Sequence, residues 1–133
     1  MVQAVQDPVK LKTRRAQWIT RVDTLVSQIA KWSAAENWSV DKSQKSIHES
    51  LLGDYVVPTL RIRLPAGEVH VNPVGLHVMG ADGRVDLETF PTLNRVKLVG
   101  IKNQWEIYTD SNVPLRKPWN RKTFSQLALD LLA

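Results

Sequence analysis

From about Tyr55 to Asp110 the chain alternates apolar and polar residues one for one. Leu60, Ile62 and Leu64 are separated by Arg61 and Arg63; Val85 and Leu87 flank Asp86; Val96 and Leu98 flank Lys97; Trp105 and Ile107 flank Glu106. Side chains on a strand point to opposite faces with a period of two, so this pattern specifies a sheet with one dry face and one wet face. The dry face needs a cover, and the two ends of the chain supply it.

Asp7-Pro8 is a helix start, with Asp at the N-cap and Pro at the first helical position. Leu11, Trp18, Val22, Leu25, Ile29 and Trp32 then recur at helical spacing, which predicts a helix from about Pro8 to Ala35 stopped near Asn37. At the other end, Asn120 caps a short helix that carries Phe124, Leu127, Ala128 and Leu131 on one side. Trp119 and Phe124 flank that cap at the spacing of a hydrophobic staple.

Between the helices, residues 39–54 read as an edge strand or a loop ending in a Gly53-Asp54 turn. Strands follow at Tyr55–Leu64, Glu68–Val71, Val74–Val78, Arg84–Phe90, Asn94–Val99 and Gln104–Thr109. Pro58 favours an edge position. Val69, Val71, Val74, Leu76 and Val78 should face inward, with a bulge or bend where the parity flips at Pro73. Asp82-Gly83 predicts a tight hairpin. With no helix between strands, the expected fold is α+β: an antiparallel meander of about five or six strands with both helices packed on one face. The 133 residues suit a single domain spanning 1–133, with residues 1–7 as a flexible tail.

The chain has no cysteine, which excludes a disulfide framework, a thiolate metal site and a cysteine nucleophile. Its amino terminus does not read as a signal peptide, and no apolar run approaches the ~20 residues of a membrane span. A soluble cytoplasmic protein with no membrane partner and no cofactor is the expectation.

Charge is distributed unevenly. Residues 1–40 carry six Lys/Arg against three Asp/Glu, and residues 111–133 carry four against one, while residues 41–110 carry eight against nine. The basic excess therefore sits at the two ends, as on an anion-binding surface. The densest cluster is Arg116, Lys117, Arg121 and Lys122 around Trp119, where cations and an indole suit a phosphate backbone with exposed bases. Lys10, Arg14 and Arg21 share one face of the first helix and could extend the track. The same residues would also serve as a buried staple and a solvated helix surface.

On the wet face, Asp86 and Glu88 lie two residues apart, with Cβ atoms ~7 Å apart at ~3.3 Å rise per residue. Paired carboxylates can hold Mg²⁺ or act as acid and base. Glu68, His70 and His77 share this face, Arg61 and Arg63 could neutralise it, and Lys97 would complete a metal-dependent hydrolase. Cross-strand ion pairing explains the same alternation. His48, His70 and His77 have no metal-ligand spacing, and no phosphate-binding glycine loop or nucleophile motif occurs. The readings in order are a non-catalytic module for an anionic partner such as nucleic acid, a protein-interaction or assembly domain using the outer sheet face or an edge strand, and a small metal-dependent hydrolase.

The helical stripes imply a direct test. Leu25→Ala and Leu127→Ala should each lower stability by about 2–5 kcal/mol if those residues are buried, read as a fall in urea midpoint.

Overall fold

A computed structural model describes residues 8–78 and 81–133; the expected flexible tail, the Asp7 cap and Gly80 lie outside the described residues. The fold is α+β. Helix α1 (Pro8–Ala35) is followed by six strands, β1 (Ser39–Glu49), β2 (Gly53–Leu64), β3 (Gly67–Val78), β4 (Ala81–Phe90), β5 (Arg95–Ile101) and β6 (Gln104–Thr109), then by helix α2 (Arg121–Leu131). The strands form one antiparallel sheet in chain order, β1 to β6.

Helix α1 ends where its sequence says it should. Asn37 takes a left-handed conformation (φ 62°). Asn37 N–H then bonds Ala34 O and Trp38 N–H bonds Ser33 O, each at 3.0 Å, which satisfies carbonyls that the last turn leaves open. At the other end of the molecule the Asn120 side chain accepts from Thr123 N–H at 2.9 Å and caps α2. Trp18, Val22, Leu25, Val26 and Ile29 of α1 and Phe124, Leu127 and Ala128 of α2 are buried in the same core as Val69, Val71, Val85, Leu87, Val96 and Leu98 of the sheet. Leu11, Trp32 and Leu131 lie at its margin. The Leu131 carbonyl accepts from Thr92 Oγ1 (2.9 Å) and Asn94 Nδ2 (2.7 Å), tying the end of α2 to the β4–β5 turn.

Of the two readings of residues 39–54 the edge strand holds, over Ser39–Glu49. Several other expectations need correction. The β1–β2 reversal falls at Ser50–Leu52, so Gly53 already pairs with Glu49 and Gly53-Asp54 is not the turn. Likewise β3 ends at Val78 opposite Ala81, so the hairpin precedes Asp82-Gly83. Gly83 (φ +109°) lies inside β4, where a Cβ would collide with the Trp18 indole. Glycine is needed there for a close approach as well as for the backbone angle. The two pieces expected between Glu68 and Val78 are one strand, with Val74 as the extra residue of a bulge between Pro73 and Gly75. Val74 consequently faces outward, 37% exposed, rather than inward.

A further departure lies in β2, an inner strand despite Pro58. Its buried residues are Leu60, Ile62 and Leu64 beyond Pro58, but Tyr55 and Val57 before it. Pairing with β1 runs unbroken through that point. The β1–β2 hairpin therefore turns its opposite face to the core towards its tip. Pairing of β2 with β3 stops at Leu60 opposite Val71, and Pro58 sits in the stretch where β2 needs no donor on that side.

Side chains close the resulting gap. Glu49 at the end of β1 accepts from Leu76 N–H at 3.1 Å and His77 N–H at 2.9 Å on β3, and from the Tyr55 hydroxyl. Tyr55 in turn accepts from Trp18 Nε1 of α1 at 3.1 Å. Lys45 Nζ reaches Asn72 Oδ1 and Pro73 O, each at 2.7 Å. Burial raises the Glu49 pKa, but the bonds from Tyr55, His77 N–H and Leu76 N–H outweigh it, and the net shift is downward.

A carboxylate with a depressed folded-state pKa stabilises the fold above its unfolded value, ~4.3, and loses that contribution as pH falls through the folded value. Glu49→Gln should therefore lower the urea midpoint at pH 7, with the gap to wild type closing progressively below pH ~4.

Candidate anion-binding groove

An open groove of about 1040 Å³ runs between α1, strand β6 and the segment Pro114–Asn120. Helix α1 lines it with Arg21, Thr24, Leu25, Gln28 and Trp32, which recur at helical spacing on one side. The structure thus brings the two ends of the chain together: Arg21 from the first helix faces the same space as Arg116, Lys117, Trp119 and Asn120.

Arg21 is held from three sides. Its Nη2 donates to Gln104 O at 2.6 Å, and its Cζ lies 4.5 Å from the centroid of the Trp105 ring. Gly100 leaves the room for it, since a Cβ there would come within 2.8 Å of Arg21 Nη1 and of Asp82 O. Burial lowers the Arg21 pKa, with Asp82 opposing, and a guanidinium stays charged under either influence. Trp105 also packs against Trp18, with ring centroids 6.2 Å apart.

On the far wall, Trp119 makes the expected staple, 5.9 Å from Phe124 and 5.5 Å from Trp32. Its Nε1 is buried without a hydrogen-bond partner. Arg116 and Lys117 precede it and are exposed, Arg116 in a left-handed conformation (φ 54°). The negative group on the lining is Glu106, which accepts from Tyr108 Oη at 3.0 Å.

The remaining basic candidates lie around this groove rather than in it. Arg14 lines an adjoining depression with Arg21, Lys102 and Asp82. Lys122 lines another, with Lys117, Gln126 and Asp130. Arg121 is 3.7 Å from Glu36. Lys10 is exposed in the first turn of α1, eleven residues and so ~16 Å from Arg21 along the helix at ~1.5 Å per residue.

Strand β6 is the sheet's outer edge on this side. Leu115 N–H donates to Ile107 O and Thr109 N–H donates to Val113 O, both at 2.9 Å, so residues 107 and 109 direct their backbone away from β5. Alternation along an antiparallel strand turns the N–H and C=O of Trp105 the same way, away from β5, and Trp105 is a lining residue of the groove.

The wet face presents a different chemistry. Asp86 is only 1% exposed, and Arg84 grips it through Nε (2.7 Å) and Nη2 (2.8 Å) while Arg95 approaches at 3.4 Å. That bond to Asp86 is the main influence raising the Arg84 pKa. Glu88 accepts from Asn72 Nδ2 at 3.2 Å and faces Arg95 at 3.8 Å. Arg61 and Arg63 pair with Asp41, at 3.1 and 3.3 Å, and Arg63 also faces Glu68 at 3.8 Å, so they neutralise part of this face as expected but not Asp86 or Glu88. Glu68 bonds His70 at 2.9 Å, His48 bonds Asp54 at 2.6 Å, and Lys97 bonds Asp110 O and Asn112 Oδ1. His77 is exposed, its backbone N–H held by Glu49. Among the described residues no three His, Asp or Glu side chains gather as metal ligands. A cation at Asp86 and Glu88 would have to displace two guanidinium groups already bonded there. The arrangement is that of ion pairs within strands, as Arg84–Asp86 and His70–Glu68, and across them, as Arg95–Asp86, Arg95–Glu88 and Arg61–Asp41.

Sequence reading missed Trp105, Gly100 and the open edge of β6 as parts of a site. Trp105 read as an inward strand residue, which it is; its place beside Arg21 depends on where α1 crosses the sheet. Comparison of the chain with protein-family models, curated proteins and solved structures gives no match. No described helix is long and apolar enough to cross a membrane.

The wet-face geometry predicts that Asp86→Ala, which strands two guanidinium groups, costs about 3–5 kcal/mol in urea unfolding, and that millimolar Mg²⁺ leaves the wild-type melting midpoint unchanged.

Proposed function

We propose that this protein is a non-catalytic binding module that holds nucleic acid in the groove between α1 and β6. The observation that carries this reading is the meeting of Arg21 with Arg116 and Lys117 along one cleft that also presents Trp105 and Trp119. Three cations against the single carboxylate of Glu106 leave the cleft net positive, and clefts with an excess of one charge concentrate counter-ions of the other sign. Phosphate contacts supply much of the affinity for nucleic acids, and aromatic faces add stacking.

The alternatives find less support. The hydrolase reading rests on Asp86 and Glu88, whose oxygens are engaged by Arg84, Arg95 and Asn72. An assembly role through the outer sheet face would require desolvating charges that already satisfy one another across the strands, at a cost that their mutual attraction does not recover.

Binding of an oligonucleotide should weaken steeply with salt, with log K falling by ~0.7–0.9 per phosphate contact for each tenfold rise in salt. The double variant Arg116→Ala/Lys117→Ala should flatten that slope by about 1.5, whereas Lys10→Ala should leave it nearly unchanged. Absence of binding to any oligonucleotide at low salt would remove the reading.

A further inference from the structure

We infer that the groove takes a single strand with unpaired bases, not a duplex, and that the open backbone of Trp105 meets a base edge. This inference rests on the nucleic-acid reading of the same groove and names the substrate class within it.

Three observations converge. The first is size. At about 1040 Å³ the groove is comparable with sites that enclose one drug-sized ligand, which occupy ~300–1,000 Å³. That space admits a few nucleotides of a flexible strand. A duplex could touch only the rim, since it is itself wide enough for its major groove, ~12 Å across, to admit a helix.

The second is the interleaving of cations with half-buried indoles. Arg21 lies on Trp105, and Arg116 and Lys117 precede Trp119. Because Arg21 covers one face of Trp105, its guanidinium plane and the half-buried Trp119 are the surfaces on which a free base can stack; a duplex offers phosphates but keeps its base faces stacked, which leaves both unused. A single strand offers both phosphates and free base faces.

The third is the length of the open strand edge. Backbone direction alternates along β6: Gln104, Glu106 and Tyr108 turn to β5, while on the open side Ile107 O accepts from Leu115 N–H and Thr109 N–H donates to Val113 O. The residue before them on that open side is Trp105, with its N–H and C=O both turned outward. An acidic peptide adding as a further strand would be attracted by the same charges, but β-augmentation draws its affinity from a run of main-chain bonds. One residue gives no such run. One donor beside one acceptor does suit a base, whose hydrogen-bonding edge is exposed only when it is unpaired.

The test uses the full chain and its own tryptophan fluorescence. The probes are a mixed-sequence single strand of about 8 nucleotides, within the ~4–16 that small single-strand binders cover, its duplex with the complementary strand, and a poly-glutamate peptide of similar charge. The single strand should quench the fluorescence and bind at least ten times tighter than the duplex. Arg116→Ala/Lys117→Ala, both exposed and outside the core, should reduce its affinity at least tenfold without moving the melting midpoint. The Trp105 amide should exchange more slowly with solvent in the single-strand complex. Duplex binding equal to or tighter than the single strand would overturn this inference and leave the proposed function standing. Binding of poly-glutamate alone would overturn both in favour of an acidic protein partner, and binding of none of the three would overturn both outright. Single-strand binding with an unprotected Trp105 amide would refute the base-edge contact.

Discussion

One carboxylate, Glu49, joins parts of the chain that no backbone ladder connects. Strands β2 and β3 separate beyond Leu60 and Val71, which opens donors along β3. Glu49 reaches from the end of β1 to take Leu76 N–H and His77 N–H, and it also takes the Tyr55 hydroxyl proton, while Tyr55 receives Trp18 Nε1–H. The relay links helix α1 to β2, β1 and β3; at its buried end, Trp18 Nε1–H to Tyr55 Oη, a missing bond would cost ~1–3 kcal/mol. It also keeps the unpaired stretch of β3 from offering a free edge.

The seat of Trp18 decides what happens one turn further along α1. Trp18 lies against Gly83 where a side chain would obstruct it. That contact sets the height and rotation of the helix over β4 to β6. Arg21, three residues on, then lies across Gly100 and over Trp105, with its guanidinium bonded to Gln104 O. The groove is therefore an outcome of core packing. Its cation is placed by glycines that leave space on the sheet, and its other cations are placed by the staple of Trp119 on Phe124 and Trp32.

The outer face of the sheet holds charges that neutralise one another. Asp41, Glu68, Asp86 and Glu88 are paired there, some within a strand (Glu68 with His70, Asp86 with Arg84) and some across strands (Asp41 with Arg61 and Arg63, Asp86 and Glu88 with Arg95), with Asp86 buried beneath Arg84 and Arg95. Three cations from the chain ends, Arg21, Arg116 and Lys117, lie instead along the α1–β6 side, where folding brings them to one cleft.

Much of this architecture was legible in the chain. Both helices, the cap at Asn120, the staple at Trp119, the meander and the bulge near Pro73 depend on residues close in sequence, whose spacing alone selects a period of 3.6 or 2. The positions of the reversals were not legible: Gly53 and Gly83 carry turn-like signals, yet one pairs with Glu49 inside a strand and the other makes room for Trp18. Nor was the change of inward face at Pro58, because a hairpin that coils keeps its pairing while it exchanges faces. Local sequence determined which elements form and which sides of them are apolar, since those follow from short-range geometry. The tertiary structure alone decided that Arg21, Trp105, Arg116 and Lys117 line one groove, since that depends on how a helix at one end of the chain packs over a strand at the other.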